Sequence, residues 1–301
     1  MKNSETRQST QGGTFVNLMS DSGFKAVYAD KDNKQLLIEL LTFFLPEDVR
    51  VSDIEAYLDR EQDPEVDTGK RTYLDLICRG EDGSIFSVEV QQKCEKWIFE
   101  RCMYYGCDTY RGQISSGDYY DKLKPLYIIC ILGENLSHQD ESKWNENNLI
   151  SHYKFIETRT QEFAPSTIII NFVETARFTK ALEACDYLLY WFLNGWKYDV
   201  NCIPEVLKDI PEIKQLSAAC EIAAFSPAKR TLYNRSVMKE QDVINQLYSA
   251  KKEGLAEGLA EGEAKKSLEI AKKMLDANSP IDFICQMTGL SEEEVLKLKS
   301  E

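Results

Sequence analysis

The chain has 301 residues, a formal charge of −14 and a composition that is 43% hydrophobic and 29% charged, the balance of a soluble globular protein with room for one large domain or two smaller ones. The acidity argues against a protein that coats nucleic acid nonspecifically, because that mode rests on cationic neutralisation of phosphates. It leaves room for a nuclease, where bound metal ions and a local basic patch supply the positive potential. Nine cysteines, an odd number with no CxxC pair, argue against a disulfide framework or a thiolate zinc site. No basic-apolar-small leader pattern is present and the longest apolar run, Leu126 to Leu132, is far short of a membrane span; the scattered cysteines point to a reducing cytoplasm, where Cys is mostly a small buried hydrophobe.

In chain order, residues 1–20 are polar and rich in Ser, Thr, Gln and Gly, which reads as a flexible N-terminus. Asp21 to Tyr28 leads through the polar turn ADKDN into Lys34 to Leu45, where apolar residues fall at helical spacing until Pro46 stops them. Glu39 is the only acid in that helix and shares a polar stripe with Gln35 and Thr42. Such a stripe is either a solvent-facing side or the seat of a metal ligand. Val51 to Leu58 alternates as a strand does, and Asp59 to Lys70 is an acidic loop.

Thr72 to Gln92 reads as a β-hairpin, two runs of β-branched, aromatic and aliphatic residues around the turn cluster Glu81, Asp82, Gly83. A two-residue Asp82-Gly83 loop would put Asp75 opposite Val90. A three-residue loop with Gly83 in the left-handed region puts Asp75 opposite Glu89. The second register explains the pattern better, gathering Leu74, Leu76, Cys78, Phe86, Val88 and Val90 on one face and Tyr73, Asp75, Ile77, Ser87, Glu89 and Gln91 on the other. Opposed carboxylates at about 4.5–5.5 Å between Cβ atoms repel strongly. Either one takes up a proton or a divalent cation sits between them; the plain alternative is a solvated sheet face carrying two ordinary acids.

Glu95 to Ser115 reads as a long helix, and Pro125 to Gly133 and Thr167 to Val173 as strands buried on both faces. The stretch 134–166 between them is polar and poorly patterned, and its two histidines, His138 and His152, have no companion at metal-ligand or triad spacing, which makes them ordinary surface or loop residues. The pattern then turns helical over Lys180 to Trp196 and Ile210 to Phe225, and Lys229, Arg230 and Arg235 gather near a helix start. Gly254, Gly258 and Gly262 stand four apart, a smooth strip for the close approach of another helix or a helix of low stability. Ser279 before Pro280 reads as an N-cap with proline at the first helical position, and Ser291 with Glu294 as a capping box. A helix-turn-helix would turn Glu292, Glu293 and Glu294 toward a polyanion, so an interaction or packing tail is expected. The divisions expected are an α/β domain over 21–175, a helical 176–250, and a Gly/Glu-rich helix with its tail, 251–301.

The order helix, strand, carboxylate hairpin, long helix, buried strand resembles the PD-(D/E)XK nuclease core, an α/β fold with a central mixed sheet flanked by helices. Several segments resemble one branch of it, the PD-(D/E)XK nuclease family transposases, related to recombination-promoting nucleases: DSGFKAVY at 21–28, LLIELLTFFL at 36–45, YLDLIC at 73–78, the EDG turn, FSVEVQ at 86–91, then Arg101, Tyr104-Tyr105, Gln113, Gly117 and Tyr120 before PLYIICIL. By that resemblance Asp75 takes the place of the motif aspartate and Glu89 of the motif acid. Gln91 stands where the superfamily usually has lysine, a known variant in this branch, with Lys93 as a substitute if the strand continues, and Leu74 stands in place of proline. Glu39 resembles the first-helix acid that assists metal binding in some members. The implied activity is metal-dependent cleavage of DNA that promotes recombination: Asp75 and Glu89, with the Val90 carbonyl, hold magnesium or manganese, Gln91 positions the attacking water, and Arg101 or Lys93 steadies the phosphate. Arg101 serves equally as a structural partner for an acid on the sheet, and Tyr104 and Tyr105 are expected in the core, with the groove as the alternative place for one of them. The expected partners are DNA and, through the glycine strip, a second copy of the chain, with no membrane. The rival reading is a catalytically silent module that keeps the fold for self-association or partner binding.

Overall fold

A computed structural model describes residues 14–58, 76–145, 147–164, 167–182 and 186–300; Asp75 and the acidic loop before it lie outside the described residues. Among these the strands β1 (Ile54–Tyr57), β2 (Leu76–Gly80), β3 (Ile85–Gln91), β4 (Leu126–Leu132), β5 (Ile150–Tyr153) and β6 (Ile168–Glu174) form one six-stranded sheet in the order β1-β2-β3-β4-β6-β5. The centre, β3, β4 and β6, is parallel, and β1, β2 and β5 add antiparallel edges. Parallel strands covered on both faces read as continuous apolar runs, which is why LYIICIL and IIINFV show no alternation.

Between β2 and β3 the pairs are Leu76↔Val88, Ile77↔Ser87, Cys78↔Phe86 and Arg79↔Ile85. This is the register expected of the three-residue loop, and Gly83 at φ +84° supplies the left-handed residue it needs. One face of the hairpin, with Leu76, Cys78, Phe86, Val88 and Val90, joins the larger core under α1 (Asp21–Tyr28), α2 (Lys34–Phe44), α4 (Tyr187–Asn194) and α6 (Pro211–Cys220). The other face carries Ile77 and Ile85 with Ile128, Cys130 and Phe172 beneath Ile98 and Cys102 of α3 (Ile98–Arg111). Gly106 lets α3 lie this close, since a Cβ there would meet Ile128 Cδ1 at 2.5 Å.

Several expectations are corrected. Thr14 to Ser20 are not loose: Val16 N donates to the Cys220 carbonyl, Ile222 N donates to the Thr14 carbonyl, and Phe15, Val16 and Leu18 are buried. That pairing ends α6 at Cys220, short of the expected Phe225. The helix expected over Lys180 to Trp196 is shorter as well, because the Asp186 carboxylate caps α4 by accepting from Leu189 N at 2.9 Å. The edge strand β5 was not legible in a polar stretch without alternation. A short helix, α5 (Glu205–Lys208), precedes α6.

The chain divides into two compact units after Val237. Helix α7 (Pro227–Asp276) runs unbroken through the basic cluster and the glycine repeat. The second unit closes α8 (Ile281–Thr288) and α9 (Glu292–Ser300) around Ala271, Ile284 and Val295. Ser291 and Glu294 form the expected capping box, each backbone N–H donating to the other side chain at 2.8 and 3.3 Å. Pro280 is the N-cap of α8, with extended ψ 141°, rather than its first helical residue. The eight cysteines among the described residues are free thiols, and no described helix is long and apolar enough to cross a membrane.

Candidate active site

Strand alternation sends Glu89 to the α3 side of β3, two residues before the strand ends at Gln91. It is therefore no solvated acid: Glu89 is 2% exposed. Its Oε1 accepts from Arg101 Nη2 and from Gln91 Nε2, the latter at 2.7 Å, while Oε2 is buried with no hydrogen-bond partner. Burial raises the Glu89 pKa above the ordinary carboxylate value; Arg101, the Gln91 amide and Lys25 pull it down and Glu95 pushes it up, without reversing the direction. Lys25, on α1 and itself paired with Asp21, was not singled out from sequence; its charge reaches the site because α1 packs on β3.

Arg101 sits one turn into α3. Its Nη1 reaches Glu95 Oε1 at 3.0 Å and its guanidinium lies 5.7 Å from the Tyr105 ring centre. Of the two roles expected for it, the partner of a sheet acid is the one formed. Lys93 does not share the Gln91 face, because β3 stops at Gln91, whose carbonyl accepts from Gly133 N; Lys93 is an exposed loop residue. Tyr104, expected in the core, is 57% exposed. Glu39 is not brought to Glu89. It lines a cavity of about 20 Å³ with Tyr28, Leu36, Phe43 and Phe192 in the opposite core layer, where Oε1 accepts from Gln35 at 3.3 Å and Oε2 is buried without a partner. Among the described residues no three His, Cys, Asp or Glu side chains are grouped so as to hold a metal.

A second polar network was missed from sequence. Glu174, the last residue of β6 and fully buried, accepts from Leu136 N at 2.9 Å, His138 Nε2 at 3.0 Å and Arg177 Nε at 3.0 Å. The His138 ring stacks on Trp144 with centroids 3.4 Å apart, so His138 is a buried clamp rather than a surface residue. His152 lies on β5, bonded to Asn171 Oδ1 at 2.7 Å. Glu174 is in register with Leu132 and, across β4, with Gln91, so this clamp and the Glu89 carboxylate share the C-terminal end of the parallel strands. That end of an open α/β sheet is where ligands ordinarily bind.

No curated protein and no solved structure matches the chain. A family profile described as the C-terminal HTH domain of the Rpn/YhgA-like nuclease family matches residues 264–300. The tail is thus similar to a helix-turn-helix domain, against the expectation drawn from its glutamates. A second profile, PD-(D/E)XK nuclease family transposase, matches residues 18–250. That span takes in the hairpin, the buried Glu89 and the mixed sheet with helices on both faces, and it exceeds half the sequence: the chain belongs to the PD-(D/E)XK nuclease family transposases.

Proposed function

We propose that the protein is a metal-dependent nuclease that hydrolyses phosphodiester bonds in DNA, and that the breaks it makes promote recombination. The supporting observation is Glu89, a buried carboxylate with one oxygen left bare. A buried acceptor without a donor is costly, and a hard cation, which takes carboxylate and carbonyl oxygens, would satisfy it. Asp75, which the hairpin register read from the sequence sets opposite Glu89, is proposed as the second ligand. An all-oxygen donor set of Glu89, Asp75 and the Val90 carbonyl suits magnesium or manganese. When bound, the cation supplies Lewis-acid stabilisation of the phosphate and a more acidic water.

The chain's own residues prepare that site. Arg101 and Gln91 both hold Oε1, which fixes the carboxylate so that Oε2 is the oxygen on offer. Gln91 spends its amide nitrogen on Glu89 and keeps its amide oxygen to accept a hydrogen bond from the attacking water. Lys93, exposed beside the strand end, offers an ammonium to the phosphate.

The test is cleavage of plasmid and linear DNA with magnesium or manganese by the wild type, Asp75→Asn and Glu89→Gln. Each variant should lose at least about 100-fold in rate, as loss of a key charge-stabilising group does. Wild-type protein that cuts nothing with either metal and shows no metal binding by calorimetry would overturn the proposal. That outcome would favour a silent module, the reading that Arg101 supports by already neutralising Glu89 as a cation would. Self-association through α7 is proposed alongside, because a Cβ at Gly254, Gly258 or Gly262 would meet nothing within 4 Å.

A further inference from the structure

We propose that Trp97 is a base-stacking platform that directs the site to DNA whose bases are unpaired beside the phosphate to be cut. The inference rests on the nuclease reading and names the substrate class for it. Trp97 ends the loop that carries the chain from β3 into α3, and it is 62% exposed, an uncommon state for the largest apolar side chain. Its carbonyl accepts from Arg101 N at 3.0 Å. Trp97 therefore stands one helical turn, about 6 Å of rise, from the residue whose guanidinium holds the Glu89 carboxylate. Tyr104, also exposed, follows on the same flank of α3 two turns from Trp97.

The loop side of the ring is cationic, and Glu100, exposed in the first turn of α3, is the acid on its helix side. Lys96 Nζ lies 4.8 Å from the Trp97 ring centre, and Lys93 is exposed four residues earlier; neither makes an ion pair among the described residues. The nearest acid in sequence, Glu95, is taken up by Arg101. An exposed indole with the Lys96 ammonium over one face and the Lys93 ammonium exposed four residues earlier, next to the proposed site, fits the pattern by which proteins grip single strands, aromatic faces for the bases and cations for the backbone. In a duplex the base faces are already covered by their neighbours, so the ring has a partner only where a base is unstacked.

The experiment measures the affinity of full-length protein for a fluorescein-labelled oligonucleotide, single-stranded and as the blunt duplex of the same sequence, in EDTA so that nothing is cut. Trp97→Ala should weaken single-strand binding about tenfold, the scale of one base–aromatic stack, and leave duplex binding within about twofold. Trp97→Phe, which keeps a ring, should recover most of the loss, and thermal melts of both variants should match the wild type. Equal affinity of wild type and Trp97→Ala for the single strand, or an equal loss on both substrates, would overturn the platform, as would wild-type protein that binds neither. The nuclease reading is judged separately, by cleavage in Glu89→Gln: a protein that stacks through Trp97 but never cuts keeps the platform and loses the enzyme.

Discussion

Glu89 is held where its ionisation works against the fold. Burial raises its pKa more than Arg101, Gln91 and Lys25 lower it. A carboxyl whose folded-state pKa lies above its unfolded one contributes stability that is full below the unfolded value and is lost as pH rises through the folded value. Glu89→Gln keeps an acceptor for Arg101 but cannot ionise. The stability of the wild type relative to Glu89→Gln should therefore decline as pH rises from about 4, the ordinary carboxylate value, through the raised folded-state value, read from urea midpoints, the other carboxylates cancelling in the difference. A flat or rising difference would mean that the Arg101 ion pair outweighs burial. Magnesium at neutral pH should raise the melting temperature of the wild type more than that of Glu89→Gln, since the cation satisfies the charge that the fold leaves half bare. The hairpin register from Leu76↔Val88 to Arg79↔Ile85 was legible because turn length and side-chain period are local. The cover that α3 lays over the carboxylate was not, since Ile98 and Cys102 show their helical spacing without saying which sheet face they pack on.

Elements read well from sequence where one period or one turn decides them. LYIICIL and IIINFV, the Gly83 turn and the Ser291–Glu294 box all belong to that class. The failures are contacts between distant segments: His138 meets Glu174 across 36 residues, Thr14 meets Ile222, and β5 takes its place by pairing with β6 rather than by any pattern of its own. Helix α7 is an intermediate case, its glycine spacing plain and its 50-residue length not. With glycine costing about 1 kcal/mol relative to alanine at each helical position, three of them on an exposed stretch are a burden unless something packs there. Gly258→Leu should therefore stabilise the isolated helix, since a side chain there meets nothing within 4 Å, and should disrupt any close helix pair. If the strip is a self-association surface, sedimentation velocity will show wild-type oligomers and a Gly258→Leu protein shifted toward monomer, with unchanged helicity by circular dichroism. Wild-type protein that sediments as a monomer at all concentrations would remove the role for the strip.

At the scale of the whole molecule, the division after Val237 separates a large core from a small one. The first unit packs both faces of a six-stranded sheet. The second is built on Ala271, Ile284 and Val295, with Met274, Leu275, Ile281, Cys285, Leu290 and Leu298 packed partly around them. A core of that size rarely supplies more than about 3–5 kcal/mol, and burying one isoleucine is a large share of it: Ile→Ala substitutions cost about 2–5 kcal/mol. Ile284, fully buried, is the side chain whose loss the second unit can least absorb. Ile284→Ala should unfold the second unit alone, so that amide exchange across 277–300 rises to the rate of an unfolded chain while β3, β4 and β6 keep their protection. On the proposed function, cleavage of short oligonucleotides by the first unit would then persist, and any contribution of the HTH-like tail to affinity for longer DNA would disappear. Exchange that rises through the sheet as well would mean that the two units fold as one cooperative body, and the tail would then have to be counted part of the sheet domain's folding unit rather than an attachment to it.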